Sequence, residues 1–166
     1  MDSKLTLFSQ IISKIDRVIF KKIVKEKKTD YRNKGFDSWT HLVSMLFCHF
    51  AKSTSVRDIS NGLRSATGNL NHLGIKTAPS KSSISYQNGK RDADLFKDLY
   101  FILLEHLGQH TKQKRVKLKI KVPVYLLDST LISLCLSLFD WATYRTKKGA
   151  VKMHLLFSFQ GLPYCL

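Results

Sequence analysis

Acidic side chains are scarce in this chain, with 12 Asp and Glu against 28 Lys and Arg, so its 166 residues carry a formal net charge of +16. That imbalance points to a polyanionic partner whose phosphates the chain neutralises, with nucleic acid favoured and an anionic membrane surface second. Cysteine is scarce too. Cys48, Cys135 and Cys165 are odd in number, widely separated and without a Cys-x-x-Cys pair, which excludes a disulfide framework and a zinc knuckle and fits a reducing cytoplasm. No apolar run approaches the roughly 18 residues that span a bilayer. The first apolar stretch is broken by Lys14, Asp16 and Arg17, so no signal peptide is expected. There is no Gly-x-Ser-x-Gly elbow, no Gly-x-x-x-x-Gly-Lys-Ser/Thr phosphate loop and no pair of histidines at metal spacing, and the chemistries those motifs serve are set aside.

What is present suffices for a core, since 43% of the residues are hydrophobic. The length allows one ordinary domain, or a small domain plus a fragment. From Leu5 to Ile23, Phe8, Ile11, Ile12, Ile15, Val18, Ile19 and Ile23 recur at the spacing of one helix face. A basic connector from Lys25 to Lys34 closes at Gly35 and reads as a loop whose charge serves solvation. Asp37 or Ser38 can cap a second helix carrying Trp39, Leu42, Met45, Leu46 and Phe50. Its His41 and His49 have only Cys48 nearby as a further metal ligand and are read as packed or surface histidines.

Ser55 opens a third, shorter helix with Val56, Ile59 and Leu63 on its apolar face. After a turn-rich segment from Asn69 to Pro79, the run from Ser80 to Tyr86 starts a fourth, and the pair resembles a loosely spaced helix-turn-helix. In that arrangement hydroxyl and basic side chains of the second helix reach bases and phosphates, which makes Lys81, Ser82, Ser85, Lys90 and Arg91 candidate DNA contacts. The alternative is a solvent face decorated with Ser and Lys. A longer helix follows over Asp92 to His110, with Leu95, Leu99, Ile102, Leu103 and Leu107 on one side.

Lys112, Lys114, Arg115, Lys117, Lys119 and Lys121 then form a run without an acid. Val116, Leu118, Ile120 and Val122 interleave with its lysines at period two, as in an edge strand with a wet basic face. The run either contacts phosphate or serves as a solvated linker and a guard against aggregation. Pro123 separates it from a β-rich stretch, Val124 to Leu127, that ends by presenting Asp128 before Ser129 and Thr130. A carboxylate there suits magnesium, but downstream of it only Asp140 is acidic. The segment from Val151 to Phe159 reads as a further strand, followed by turn chemistry at Gln160-Gly161-Leu162-Pro163.

The string from Leu127-Asp128-Ser129-Thr130 through Phe139-Asp140-Trp141-Ala142, with Lys148-Gly149-Ala150-Val151-Lys152-Met153-His154, resembles the bacterial insertion-sequence family-four transposases. The run from Ser83 to Asp92 and the Phe8-Ser9-Gln10 start are similar to the helical N-terminal domain of that family. The resemblance implies a mainly α N-terminal domain over residues 1–111, a basic linker or edge strand over 112–122, and an incomplete α/β ribonuclease-H-like segment of two to three strands over 123–166. It further implies magnesium-dependent DNA transposition by an Asp-Asp-Glu triad. Asp128 matches the first Asp and would be the catalytic metal ligand, while the second Asp and the Glu have no counterpart here. Phe159-Gln160-Gly161 replaces the acidic turn of many relatives. The expectation is a truncated or frameshifted copy, cytoplasmic and nucleoid-associated, that binds transposon-end duplex DNA but holds no magnesium stably and is inactive alone. It could form homo-oligomers or pair with an intact transposase, and no membrane role is expected. The alternative is a non-catalytic regulator acting through such pairing.

Overall fold

The computed structural model describes residues 2–33, 35–66, 70–111, 125–134, 143–144, 148–158 and 163–165. Helix α1 (Asp2–Ile12) and helix α2 (Arg17–Glu26) divide the first apolar stretch in two. This corrects the single helix expected from Leu5 to Ile23. Asp16 leaves helical geometry and caps α2, its carboxylate accepting from the amides of Val18 and Ile19 at 2.7 and 3.3 Å. Because the apolar period runs across that break, Val18 is exposed instead of lining the core.

Helix α3 (Ser38–Phe50) follows its Asp37 cap, with Asp37 accepting from the Thr40 amide at 2.7 Å. Every residue from Ser38 to Val43, and Ser44 after it, is buried, so the first half of α3 runs through the interior instead of lying on it. Two of its polar side chains find carbonyl partners: Ser44 Oγ donates to the Thr40 carbonyl at 2.6 Å, and Trp39 Nε1 donates to the Leu73 carbonyl at 2.8 Å. Phe20 packs edge-on against Trp39, and the Arg17 guanidinium lies 4.7 Å from the indole centroid. Gly74, at φ +70°, leaves room for that guanidinium, which a Cβ would meet at 2.5 Å.

Helix α4 (Val56–Ser65) starts from a reciprocal cap in which Ser55 Oγ accepts from the Asp58 amide and Asp58 accepts from the Thr54 amide and hydroxyl. It buries Val56, Ile59, Ser60 and Leu63. Its Gly62 lies directly against Phe47 of α3, where a Cβ would come within 2.6 Å of the ring. A 3-10 turn (Leu70–Leu73) leads to helix α5 (Lys81–Lys90), and helix α6 (Asp94–Thr111) closes the helical part against α2. Leu95 and Leu99 are buried, as their spacing predicts, whereas Leu107 is exposed.

One carboxylate ties the loop after α2 to two helices. Asp30 Oδ1 accepts from the Ser38 amide and hydroxyl, both at 2.8 Å, from Asn33 Nδ2 at 3.3 Å, and from Arg91 Nη2 at 3.2 Å. Arg91 also donates to the carbonyls of Phe36 and Asp37 at 3.0 and 3.3 Å, and its side chain is only 1% exposed. Burial lowers the guanidinium pKa, an effect opposed by the Asp30 and Asp37 carboxylates. Beside this clamp, His41 is wedged between Phe36 and Phe96, ring centroids 5.5 and 5.4 Å away, with neither ring nitrogen hydrogen-bonded. Burial first, and the Arg91 charge second, push the imidazole pKa down to about 4, against a smaller opposing effect of the nearby Asn88 side chain.

The chain after the helices forms an antiparallel sheet. Strand β1 (Tyr125–Leu134) pairs along its length with strand β3 (Lys148–Ser158), and the short strands β2 (Thr143–Tyr144) and β4 (Pro163–Cys165) pair with the far side of β3. The expected order, mainly helical and then a few strands, is thus the observed one. Two details differ. Asp128 is not at a strand end but within β1, opposite Leu155, because Ser129 and the β-branched Thr130 continue the ladder instead of turning. The residues after the predicted turn also rejoin the sheet, Tyr164 pairing with Leu156. The basic run at 112–122, Cys135 and Asp140 lie outside the described residues.

Asp30→Ala strands a buried guanidinium and frees the loop, and should destabilise the chain by about 2–4 kcal/mol in urea unfolding; a change below about 0.5 kcal/mol would show that the clamp is dispensable. His41 gives a second test. The unfolded chain binds a proton near pH 6.5 while the folded ring stays neutral to about pH 4, so stability present above pH 6.5 is lost as the pH falls towards 4. Over that window wild type should lose on the order of 3 kcal/mol more than His41→Leu. Parallel pH profiles would rule the histidine out as the cause.

Candidate nucleic-acid interface

Helix α5 is built so that one side is committed to the fold and the other to solvent. Pro79 ends the connector, its carbonyl held at 2.8 Å by the buried Ser60 hydroxyl of α4. Ser80 caps the helix by accepting from the Ser83 amide at 3.1 Å, and its hydroxyl also lies 3.1 and 2.9 Å from those of Ser82 and Ser83. Ile84 is completely buried and anchors the inner face, and α5 packs on both α3 and α4. Those contacts fix the direction of the outer face.

Lys81, Ser82, Ser85, Tyr86, Gly89 and Lys90 are all exposed. They fall in two i, i+4 rows, 81-85-89 and 82-86-90, which share one side of an α-helix. Four of the five α5-region residues named as DNA contacts therefore lie on a common surface. A Cβ at Gly89 would meet nothing within 4 Å. The helix contains no acid, and its two lysines stand at its two ends.

Tyr86 was not among the named contacts, yet it is 61% exposed in the middle of this face. Lys90 Nζ donates to its hydroxyl at 3.0 Å and lies 5.3 Å from the ring centroid. The signal was legible as an aromatic four residues before a cation on the wet side of a helix. Arg91, by contrast, turns inward into the Asp30 clamp, so its guanidinium holds the fold together at the base of the face and adds nothing to the exposed rows. Lys112, Lys114, Arg115, Lys117, Lys119 and Lys121 lie outside the described residues.

Residues 3–76 match the family described as Domain of unknown function (DUF4372). That domain is known in transposase-like proteins. No curated protein and no solved structure matches the chain. The DUF4372 match takes in α1 to α4 and the 3-10 turn, the platform against which α5 is held, and stops short of α5 and of the sheet.

Asp128 is exposed on β1 and accepts from Thr130 Oγ1 at 3.1 Å. By strand alternation it shares a face with Thr130, and the register sets Leu155 opposite it. Among the described residues no three His, Cys, Asp or Glu side chains converge. A magnesium site of the two-metal type needs several carboxylates around the ions, and the described donors do not fit one. Among the described residues no helix is long and apolar enough to cross a membrane.

Proposed function

We propose that this chain is a transposase-derived DNA-binding unit of the insertion-sequence family-four kind, in which α5 is presented to duplex DNA while Asp128 marks the start of a ribonuclease-H-like catalytic sheet. The carrying observation is the outer face of α5, where Lys81, Ser82, Ser85 and Lys90 stand together on a helix anchored by Ile84. Lysines at both ends of such a helix meet phosphates, and hydroxyls between them donate to phosphates or base edges. The net charge of +16 supplies the long-range attraction, and the DUF4372 match supports a transposase-like affiliation for the N-terminal part. Transposon ends are the natural target and the nucleoid the natural location for such a unit.

In our reading strand cleavage needs further acids beside Asp128; among the described residues none converge on it. With further acids brought beside it, this carboxylate would hold magnesium. A second reading, a regulator that pairs with an intact transposase or with another copy, draws on the sheet: among the described residues β1 is paired only with β3, and it exposes Tyr125, Leu127 and Leu131.

Fluorescence anisotropy with a labelled duplex should show salt-sensitive binding. Lys81→Ala with Lys90→Ala should weaken it several-fold and reduce the slope of log K against log salt by about two. Absence of duplex affinity at low salt would refute the reading, as would magnesium-dependent nicking abolished by Asp128→Asn.

A further inference from the structure

The surface carries a second pairing of an exposed aromatic with a cation, and it lies outside α5. Tyr31 is 72% exposed, with the Arg32 guanidinium 5.2 Å from its ring centroid. Both belong to the turn after α2, where Lys28 is also exposed, and Lys25 is exposed in the last turn of α2 just before it. The neighbouring charges are mostly engaged elsewhere: Lys27 pairs with Asp98 at 2.9 Å and Asp30 is occupied by Arg91, Ser38 and Asn33, leaving Glu26 as the exposed acid of the segment. Among the described residues at the tip, the uncommitted side chains are thus Lys28, Tyr31 and Arg32.

Two further observations separate this turn from an ordinary solvated loop. It is fastened to α5, since Arg91 immediately follows Lys90 and donates to Asp30 within the turn and to Phe36 and Asp37 after it. The turn is therefore held beside the end of α5 where Tyr86 and Lys90 are exposed. In addition, Lys28 and Arg32 both adopt left-handed backbone, at φ 51° and 57°, a conformation that Gly or Asn takes more readily than a long cation. Hydrogen bonds fix it, with the Tyr31 amide donating to the Lys28 carbonyl at 3.0 Å and the Asn33 amide to the Asp30 carbonyl at 3.1 Å. Cations occupy positions where backbone preference alone would favour something else.

We infer that the 27–33 turn is a second phosphate-contacting element, in which Lys28, Arg32 and Tyr31 grip the backbone of duplex DNA next to the stretch met by α5. The inference rests on the DNA-binding reading of α5. Arg32, braced on the Tyr31 ring, presents a planar donor fork suited to a phosphate, Lys28 adds a point charge, and the Tyr31 hydroxyl can donate to a phosphate oxygen.

The test uses the full chain with Lys28→Asn and Arg32→Asn together, since Asn keeps the left-handed geometry while removing both charges. A circular-dichroism melt matching wild type shows that the fold is intact. In anisotropy titrations against one labelled duplex, this variant should bind several-fold more weakly at low salt, with a salt slope shallower by about two. The loss should add to that of the Lys81→Ala, Lys90→Ala variant. Wild-type affinity and slope in the turn variant, alongside weakened binding in the α5 variant, would overturn this inference and leave the α5 reading standing. No duplex binding by wild type would remove both. Loss of binding to phosphatidylserine vesicles with duplex binding unchanged would assign the turn to a membrane surface and overturn the inference.

Discussion

A single carboxylate oxygen, Asp30 Oδ1, organises the helical part. It receives the first amide and the hydroxyl of α3, a side-chain amide from its own loop, and a guanidinium from the residue that ends α5. Elements separated by 61 positions in the chain are thereby joined at one atom. Charge-assisted hydrogen bonds of this kind are directional, and in a partly buried setting they fix orientation as well as proximity. The entry of α3 into the core, the course of the basic loop and the end of α5 all depend on it.

The same logic accounts for the surplus of positive charge at the surface. Asp16 and Asp37 cap helices, Asp58 completes the cap of α4, Asp92 accepts from the Asp94 amide at the start of α6, Asp98 pairs with Lys27, and Asp30 serves the clamp. These six acids are engaged by the fold, which needs them where amides or guanidinia are otherwise unsatisfied. Lysines such as Lys81, Lys90, Lys28 and Lys25 remain exposed. An overall charge imbalance is thereby converted into a locally uncompensated basic surface.

Short polar side chains ahead of apolar runs made the starts of α3, α4 and α5 legible, because an N-cap is a local device and Asp37, Ser55 and Ser80 act within three residues of themselves. The division at Asp16 was not legible, since the apolar period continues across it. Nor was the all-round burial of the first half of α3, which a one-faced pattern cannot express. Arg91 illustrates the limit best: a cation at a helix end looks like a phosphate contact until a distant Asp30 claims it, and that is a long-range fact. Tyr86 was passed over because hydroxyls and cations alone were weighed. Asp128 looked terminal because the apolar run stops there, whereas the ladder with β3 continues through Ser129 and Thr130.

Gly62 touches neither the α5 face nor the turn, yet it sets the spacing on which both depend. With no Cβ there, Phe47 rests on the α4 backbone, and two residues earlier in α4 Ser60 holds the carbonyl of Pro79 just before α5 begins. The absence of one methyl group therefore acts as a gauge block: it fixes how closely α4 lies on α3 and, through that single hydroxyl, the pitch at which the outer face of α5 is aimed. In a lineage of such chains, changes in what α5 meets could arise from residues on the α3–α4 seam, without any substitution on the exposed face itself.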